Sequence, residues 1–195
     1  MRASNYNMEK KYKIAVAGAS ELGHCALNIK ELATEVGREI ARQGCILISG
    51  ATTGAPDLAA KGAKEEKGIS IGFSPAASET AHKNSYRLPT DYYDVIVYTG
   101  FDYSGRNLLM TRAADAVIII CGRTGTLNEF TIAFEDRKPI GILIGSGGTA
   151  DKIEDILRGP HRPGEKIVYE REPKKLVAGL LKILKERKKS SKSKK

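Results

Sequence analysis

The sequence predicts an α/β fold: one Rossmann-like domain of three α/β/α layers built on a mostly parallel sheet. Three observations carry this. Short apolar, β-branched runs recur along the chain, among them 13–18 (KIAVAG), 45–49 (CILIS) and 115–120 (DAVIII), each the length of a strand buried on both faces. Segments with apolar residues at 3–4 spacing alternate with them, as crossover helices should. Glycine supplies 20 of the 195 residues, enough to close the many tight joints such alternation needs.

The elements follow in order. After the first strand, 28–43 places Ile29, Leu32, Ala33, Val36, Ile40 and Ala41 on one helical face, with Gly44 as its stop. Strand 45–49 leads through a 50–54 turn into helix 55–67, closed by Gly68, and strand 69–73 follows. The stretch 74–94 is longer than an ordinary connection and is expected to cover a ligand as a mobile loop. Beyond it come strand 95–98, helix 105–114, strand 115–120, helix 124–136, strand 138–144, a short helix over 149–158 and an edge strand at 166–169. The closing helix is expected over 173–186, with Pro173 in its first turn. Residues 13–184 thus form the domain, 1–12 a flexible leader and 185–195 a disordered basic tail.

Charge and cysteine usage narrow the function. Of the formal net charge of +9, six units lie in 185–195, where seven Lys and Arg face Glu186 alone. A solvated tail of this kind attracts polyanions weakly and does not make the fold a specific reader of nucleic acid. Cys25, Cys45 and Cys121 are odd in number, far apart and without a CxxC pair, so neither a disulfide framework nor a metal site is expected. No run approaches the roughly 20 apolar residues of a membrane span, and no signal-peptide pattern opens the chain, which points to a cytoplasmic protein. Tyr92, Tyr93, Tyr98 and Tyr103 cluster where they either border a ligand or pack along strand edges.

Two glycine loops merit testing against phosphate-binding templates. In 18–25 (GASELGHC), His24 and Cys25 stand where a Walker loop has Lys and Ser or Thr, which argues against that chemistry. Ser20 stands in place of the middle dinucleotide glycine, and the second strand ends in Ser49 and Gly50 without an acid for a ribose hydroxyl, which argues against an NAD site. Gly18 and Ser20 remain candidates to offer amides or a hydroxyl to a ligand, or simply make a turn. The second loop, 122–129 (GRTGTLNE), follows a buried strand and opens a helix, where free N–H groups and the helix dipole favour an anion. Gly122 and Gly125 permit close approach, Arg123 adds charge, and Thr124 and Thr126 add hydroxyls. Thr126 with Glu129 alternatively forms a capping box. Arg106, on the helix leading into the same strand, can pair a phosphate or carboxylate, or a surface acid such as Asp102.

On these residues the chain resembles the LOG-like family, once labelled possible lysine decarboxylases, and within it the molybdenum-cofactor carrier branch. The match rests on 49–63 (SGATTGAPDLAAKGA), 105–120 and 121–129, the last corresponding to the family pattern P-G-G-x-G-T-x-x-E. The resemblance implies that Gly50, Gly54, Gly122, Thr124, Gly125 and Thr126 serve a phosphorylated ligand. In enzymatic members, which release the base from nucleoside 5′-monophosphates, the counterparts of Arg106 and Glu129 are functional. A carboxylate beside the ribose suits a bond cleavage that builds positive charge there. The alternative it implies is a carrier for a phosphorylated cofactor such as molybdopterin. Neither needs a further cofactor, and a homo-oligomer, dimer or tetramer, is expected. Cys121, Arg123 and Asn107 depart from the pattern, at its proline, its second glycine and the lysine that usually follows the arginine.

Overall fold

The computed structural model of the chain describes residues 10–158 and 166–192. Seven strands alternate with helices: β1 Lys13–Gly18, α1 Ile29–Arg42, β2 Ile46–Ser49, α2 Ala55–Glu65, β3 Ile69–Ser74, β4 Val95–Tyr98, α3 Asp102–Ala113, β5 Ala116–Ile120, α4 Thr124–Glu135, β6 Ile140–Leu143, α5 Ile153–Ile156, β7 Ile167–Glu170 and α6 Pro173–Lys192. The sheet order is β4-β3-β2-β1-β5-β6-β7, and every pairing is parallel. The chain winds outward from β1 to one edge, then returns to β5 on its other side. The β1/β5 seam is therefore the switch point, where a crevice opens beyond the strand ends.

Strand pleating divides the core into the two layers. Ile14 and Val16 face α1, α2 and α6, where they meet Val36, Ile40, Ala59, Leu176 and Leu180. Ala15 and Ala17 point the opposite way, toward Met110, Phe130, Ala133 and Ile153 on α3, α4 and α5. Helices α1 and α2 approach unusually closely. A Cβ on Gly37 would fall 1.8 Å from the Ala59 carbonyl oxygen, and one on Gly62 would fall 1.9 Å from that of Thr34. Backbone therefore packs on backbone, and any larger residue at either position would separate the helices.

The structure departs from the sequence reading at several elements. Helix α3 begins at Asp102, three residues early. The expected helix over 149–158 is a 3₁₀ turn, Ala150–Lys152, followed by the single turn of α5. The long 74–94 loop holds a π turn, Ala81–Ser85, clamped by buried His82, whose ring nitrogens bond Ser74 Oγ at 2.8 Å and the Pro89 carbonyl at 3.0 Å. The tail expected to be disordered is helical as far as Lys192. Leu176, Val177, Leu180, Leu181 and Leu184 dock the first part of α6 on the core, and once a helix is nucleated, Lys, Arg and Glu extend it readily. The leader expected over 1–12 lies outside the described residues except for 10–12. Among the described residues no helix is long and apolar enough to cross a membrane.

Candidate functional site

A cleft of about 370 Å³ opens at the switch point. Its floor comes from the ends of β1 and β2, through Gly18, Ala19, Ser20 and Gly50, and its walls from the first turns of α2 and α4. Neither helix carries a side-chain cap. The capping box between Thr126 and Glu129 does not form, because α4 begins at Thr124 after Arg123 and Thr126 lies inside its first turn; Glu129 turns inward to Arg106. The α4 ladder starts with the Leu127 N–H donating to the Arg123 carbonyl at 2.9 Å, so the first-turn amides before it face outward from the helix end, as anion-binding termini do.

Arg106 and Glu129 form a buried pair at the base of the cleft. Arg106 Nη1 donates to Glu129 Oε1 at 3.2 Å, and their side chains are only 6% and 8% exposed. Burial pushes the Glu129 carboxyl up to about 7, partly countered by Arg106. Burial likewise pulls the Arg106 guanidinium below its ordinary value, against the attraction of Glu129. Desolvation thus outweighs attraction for both partners. The Asn107 amide, oriented to satisfy its surroundings, donates to Glu129 Oε1 at 3.2 Å and to the Tyr103 carbonyl at 3.0 Å. Arg106 Nε is buried with no hydrogen-bond partner among the described residues, and the guanidinium lies 5.8 Å from the Tyr103 ring centroid. A buried N–H left unpaired costs free energy in the folded chain.

The backbone around the pair is shaped by glycine. A Cβ on Gly50 would sit 2.0 Å from Arg106 Nη1, so only glycine lets the guanidinium lie flat against the end of β2. Gly122 has φ +92° and would clash with Thr126 if it bore a side chain. Arg123 stands at the cleft mouth, 62% exposed, in an ion pair with Glu21 at 3.2 Å.

Eight of the residues singled out from sequence line the cleft: Gly18, Ser20, Gly50, Arg106, Arg123, Gly125, Thr126 and Glu129. Gly54, Gly122 and Thr124 lie beside it at the helix starts without lining it. Arg106 pairs with Glu129, and Asp102 is instead held by the Tyr86 hydroxyl. Sequence reasoning missed Thr52 and Thr53 as well as Tyr86, Arg87 and Leu88, which reach the cleft from the 74–94 loop. The loop's unusual length was the available signal for the last three. Of the tyrosine cluster, Tyr103 borders the cleft, whereas Tyr93 is half-buried with its hydroxyl 2.9 Å from Ser49 Oγ.

One expectation is overturned outright. Cys25 and Cys121 form a disulfide, although their separation of 96 residues suggested no pairing. Parallel pairing of β1 with β5 sets Gly18 beside Ile120, and this register carries the loops after both strands to the same place. His24 joins the two cysteines there.

A parallel α/β sheet with an arginine-lined cleft between helix N-termini at its switch point defines a LOG-like Rossmann protein. The chain belongs to the SLOG cluster4 family, whose model matches residues 11–177. A curated protein of Archaeoglobus fulgidus with no stated function is 31% identical over 134 residues, 69% of this chain and 81% of that protein. The X-ray structure of TM1055 superposes with a TM-score of 0.75 at 25% identity, covering 88% of this chain and 98% of that one. The molybdenum cofactor carrier protein from Chlamydomonas reinhardtii gives 0.72 at 26% identity, covering 90% and 99% respectively.

Proposed function

We propose that this protein binds and carries a phosphorylated cofactor of the molybdopterin kind, with its phosphate on the N-terminus of α4. The observation that carries the reading is the cleft's electrostatic balance. Arg87, Arg106 and Arg123 line it against Glu21 and Glu129, two uncapped helix starts add partial positive charge, and the Glu129 carboxyl, with its pKa raised to about 7 by burial, carries less than a full charge at neutral pH. The volume lies at the lower end of the roughly 300–1,000 Å³ of small-molecule sites. Residues Gly125 and Thr126 would hold the phosphate, Arg123 would close on it by leaving Glu21, and Arg106 would border the body of the ligand at the base of the cleft. Carriage by the Chlamydomonas relative supports the choice of cofactor.

Glycosidic hydrolysis is the second reading, favoured by the Arg106–Glu129 pair itself. A carboxyl poised near 7 suits general acid–base chemistry. Yet stabilising a cationic ribose requires a carboxylate with its charge free, and here Arg106 and Asn107 occupy the same Oε1. Mass spectrometry of small molecules released from the purified protein separates the readings. A phosphorylated pterin supports carriage. Release of free base from AMP, GMP, CMP or UMP that disappears in Glu129→Ala overturns it in favour of hydrolysis.

Assembly into a homo-oligomer is part of the same proposal. Exposed Leu108 and Leu109 on α3, Phe101 before it, and Val95 and Val97 on edge strand β4 provide an apolar surface that a second copy would cover. Light scattering that finds only monomer removes this element.

A further inference from the structure

Beside the cleft, three side chains with an affinity for soft metals converge. The ligand atoms of His24, Cys25 and Cys121 all lie within 4.8 Å of one another. Cys121 is fully buried, His24 and Cys25 are half-buried, and His24 also lines the cleft. His24 Nε2 is 3.3 Å from the Gly122 carbonyl and 4.0 Å from Cys25 Sγ. Its Nδ1 is buried with no hydrogen-bond partner among the described residues, an unusual state for an imidazole whose only task is packing.

We propose that the Cys25–Cys121 bond gates a Cys₂His site for a thiophilic divalent cation such as Zn²⁺, created when the disulfide is reduced. In the oxidised chain the sulfurs are bonded to each other and supply no thiolate. A dithiol reductant supplies two electrons and two protons. The S–S bond breaks, Cys25 and Cys121 become thiols, and the reductant closes into its own disulfide. The cation then displaces both thiol protons and is held by two thiolates and one imidazole nitrogen, leaving a fourth position open.

The dimensions and the walls suit this. Tetrahedral zinc, with bonds of about 2.3 Å to sulfur and about 2.0 Å to nitrogen, spaces two sulfurs roughly 3.8 Å apart and a sulfur and a nitrogen roughly 3.5 Å apart, near the 4.0 Å between His24 Nε2 and Cys25 Sγ; reduction frees the two sulfurs to part to that spacing. Cys121 is fixed from behind: its N–H donates to Ser146 Oγ at 2.8 Å and its carbonyl accepts from the Ala150 N–H at 2.9 Å. Gly148 presses on the same sulfur, since a Cβ there would lie 3.0 Å from Cys121 Sγ. Cys25, on the loop before α1, is held by its N–H to the Leu22 carbonyl at 3.0 Å and by a bridge to Gly147, and it is the less buried of the two cysteines. Two thiolates with one imidazole select zinc-like ions over magnesium or calcium. An ion held here borders the cleft through His24, so the redox state of one cysteine pair would set whether the cleft has a metal at its side. The site rests on these three residues and stands whatever ligand the cleft takes.

Cadmium is the probe, because thiolate-to-cadmium charge transfer absorbs in the ultraviolet independently of any activity. The full chain carrying Cys45→Ser, which removes the remaining buried thiol, is reduced with dithiothreitol, desalted without oxygen and titrated with Cd²⁺. The expected result is a charge-transfer band saturating at one ion per chain, absent from the oxidised protein and from Cys121→Ser. His24→Ala should weaken binding by at least about tenfold, the lower end of what loss of even an outer-shell partner costs. If Cys121→Ser does not fold, Cys25→Ser at its half-buried position gives the same readout. A reduced chain without the band overturns the proposal, as does a band that survives loss of either cysteine or an affinity indifferent to His24.

Discussion

Replacing Glu129 by glutamine tests whether burial governs the carboxyl at the base of the cleft. Burial raises its pKa from the ordinary 4.5 to about 7, against the pull of Arg106. The folded chain therefore keeps a proton that the unfolded chain has lost. Stability from that proton is complete below about pH 4.5 and is lost progressively as the pH rises to about 7. At about 1.4 kcal/mol per pH unit, the interval amounts to roughly 3 kcal/mol. Glutamine keeps the size and an acceptor for Arg106 Nη1 but has no proton to lose. Its weaker attraction to Arg106 displaces the whole stability curve, so only the pH-dependent difference is diagnostic. Urea unfolding at intervals from pH 4.5 to 8, with the disulfide intact, should show the variant gaining about 3 kcal/mol on the parent across that range. Parallel curves would refute the reasoning, because Glu129 would then titrate alike in the folded and unfolded chains.

Gly50→Ala drives a methyl group to within 2.0 Å of Arg106 Nη1. The guanidinium must leave Glu129, and urea titration should register a loss of about 1–3 kcal/mol together with impaired ligand retention; an unchanged midpoint would show that the pair is not seated as described. Arg123→Ala removes a side chain 62% exposed, so unfolding free energy should stay within about 0.5 kcal/mol. Calorimetric titration with the phosphorylated ligand should nevertheless weaken by about 10–100-fold if a charged phosphate contact is lost. Cys25→Ser opens a crosslink between residues 96 apart, a closure that the chain-entropy model values at about 4–5 kcal/mol. Denaturant unfolding should reveal a loss of at least about 2 kcal/mol, and none at all would mean that the bond does not restrict the unfolded chain.

Much of the fold was legible because local signals agreed with the global arrangement. The 95–98 strand is found with identical bounds, since β-branched residues follow a turn there without competition. Alternation implies a parallel sheet with its loops on one edge, but the strand order that makes the β1/β5 seam the switch point is not contained in it. Arg106 and Glu129 were both singled out, yet their mutual pairing was hidden: a capping box and an inward ion pair share one sequence pattern, and the helix start at Thr124 rules out the first. The Cys25–Cys121 bond was illegible for a different reason. Its partners meet through a strand register, Gly18 beside Ile120, and no count of cysteines contains a register. The helical end of α6 was missed because a Lys-rich run read in isolation is solvated coil, whereas the same run continues a helix already docked through Leu180 and Leu184.

The position of the disulfide has a mechanical consequence. Everything between Cys25 and Cys121, which includes α1, β2, α2, β3, β4, α3 and β5, hangs as a closed loop from a covalent knot at the switch point. Tension applied at the two ends of the chain would run through β1, across the sulfurs and out through α4, never reaching those seven elements. A molecule pulled apart in this state would lengthen only by its outer segments, and a molecule with the bond cut would lengthen by the whole chain. Strands β2, β3, β4 and β5, on both sides of β1, are thus sheltered from load by one bond, and the same bond lies against the loop that opens the ligand cleft.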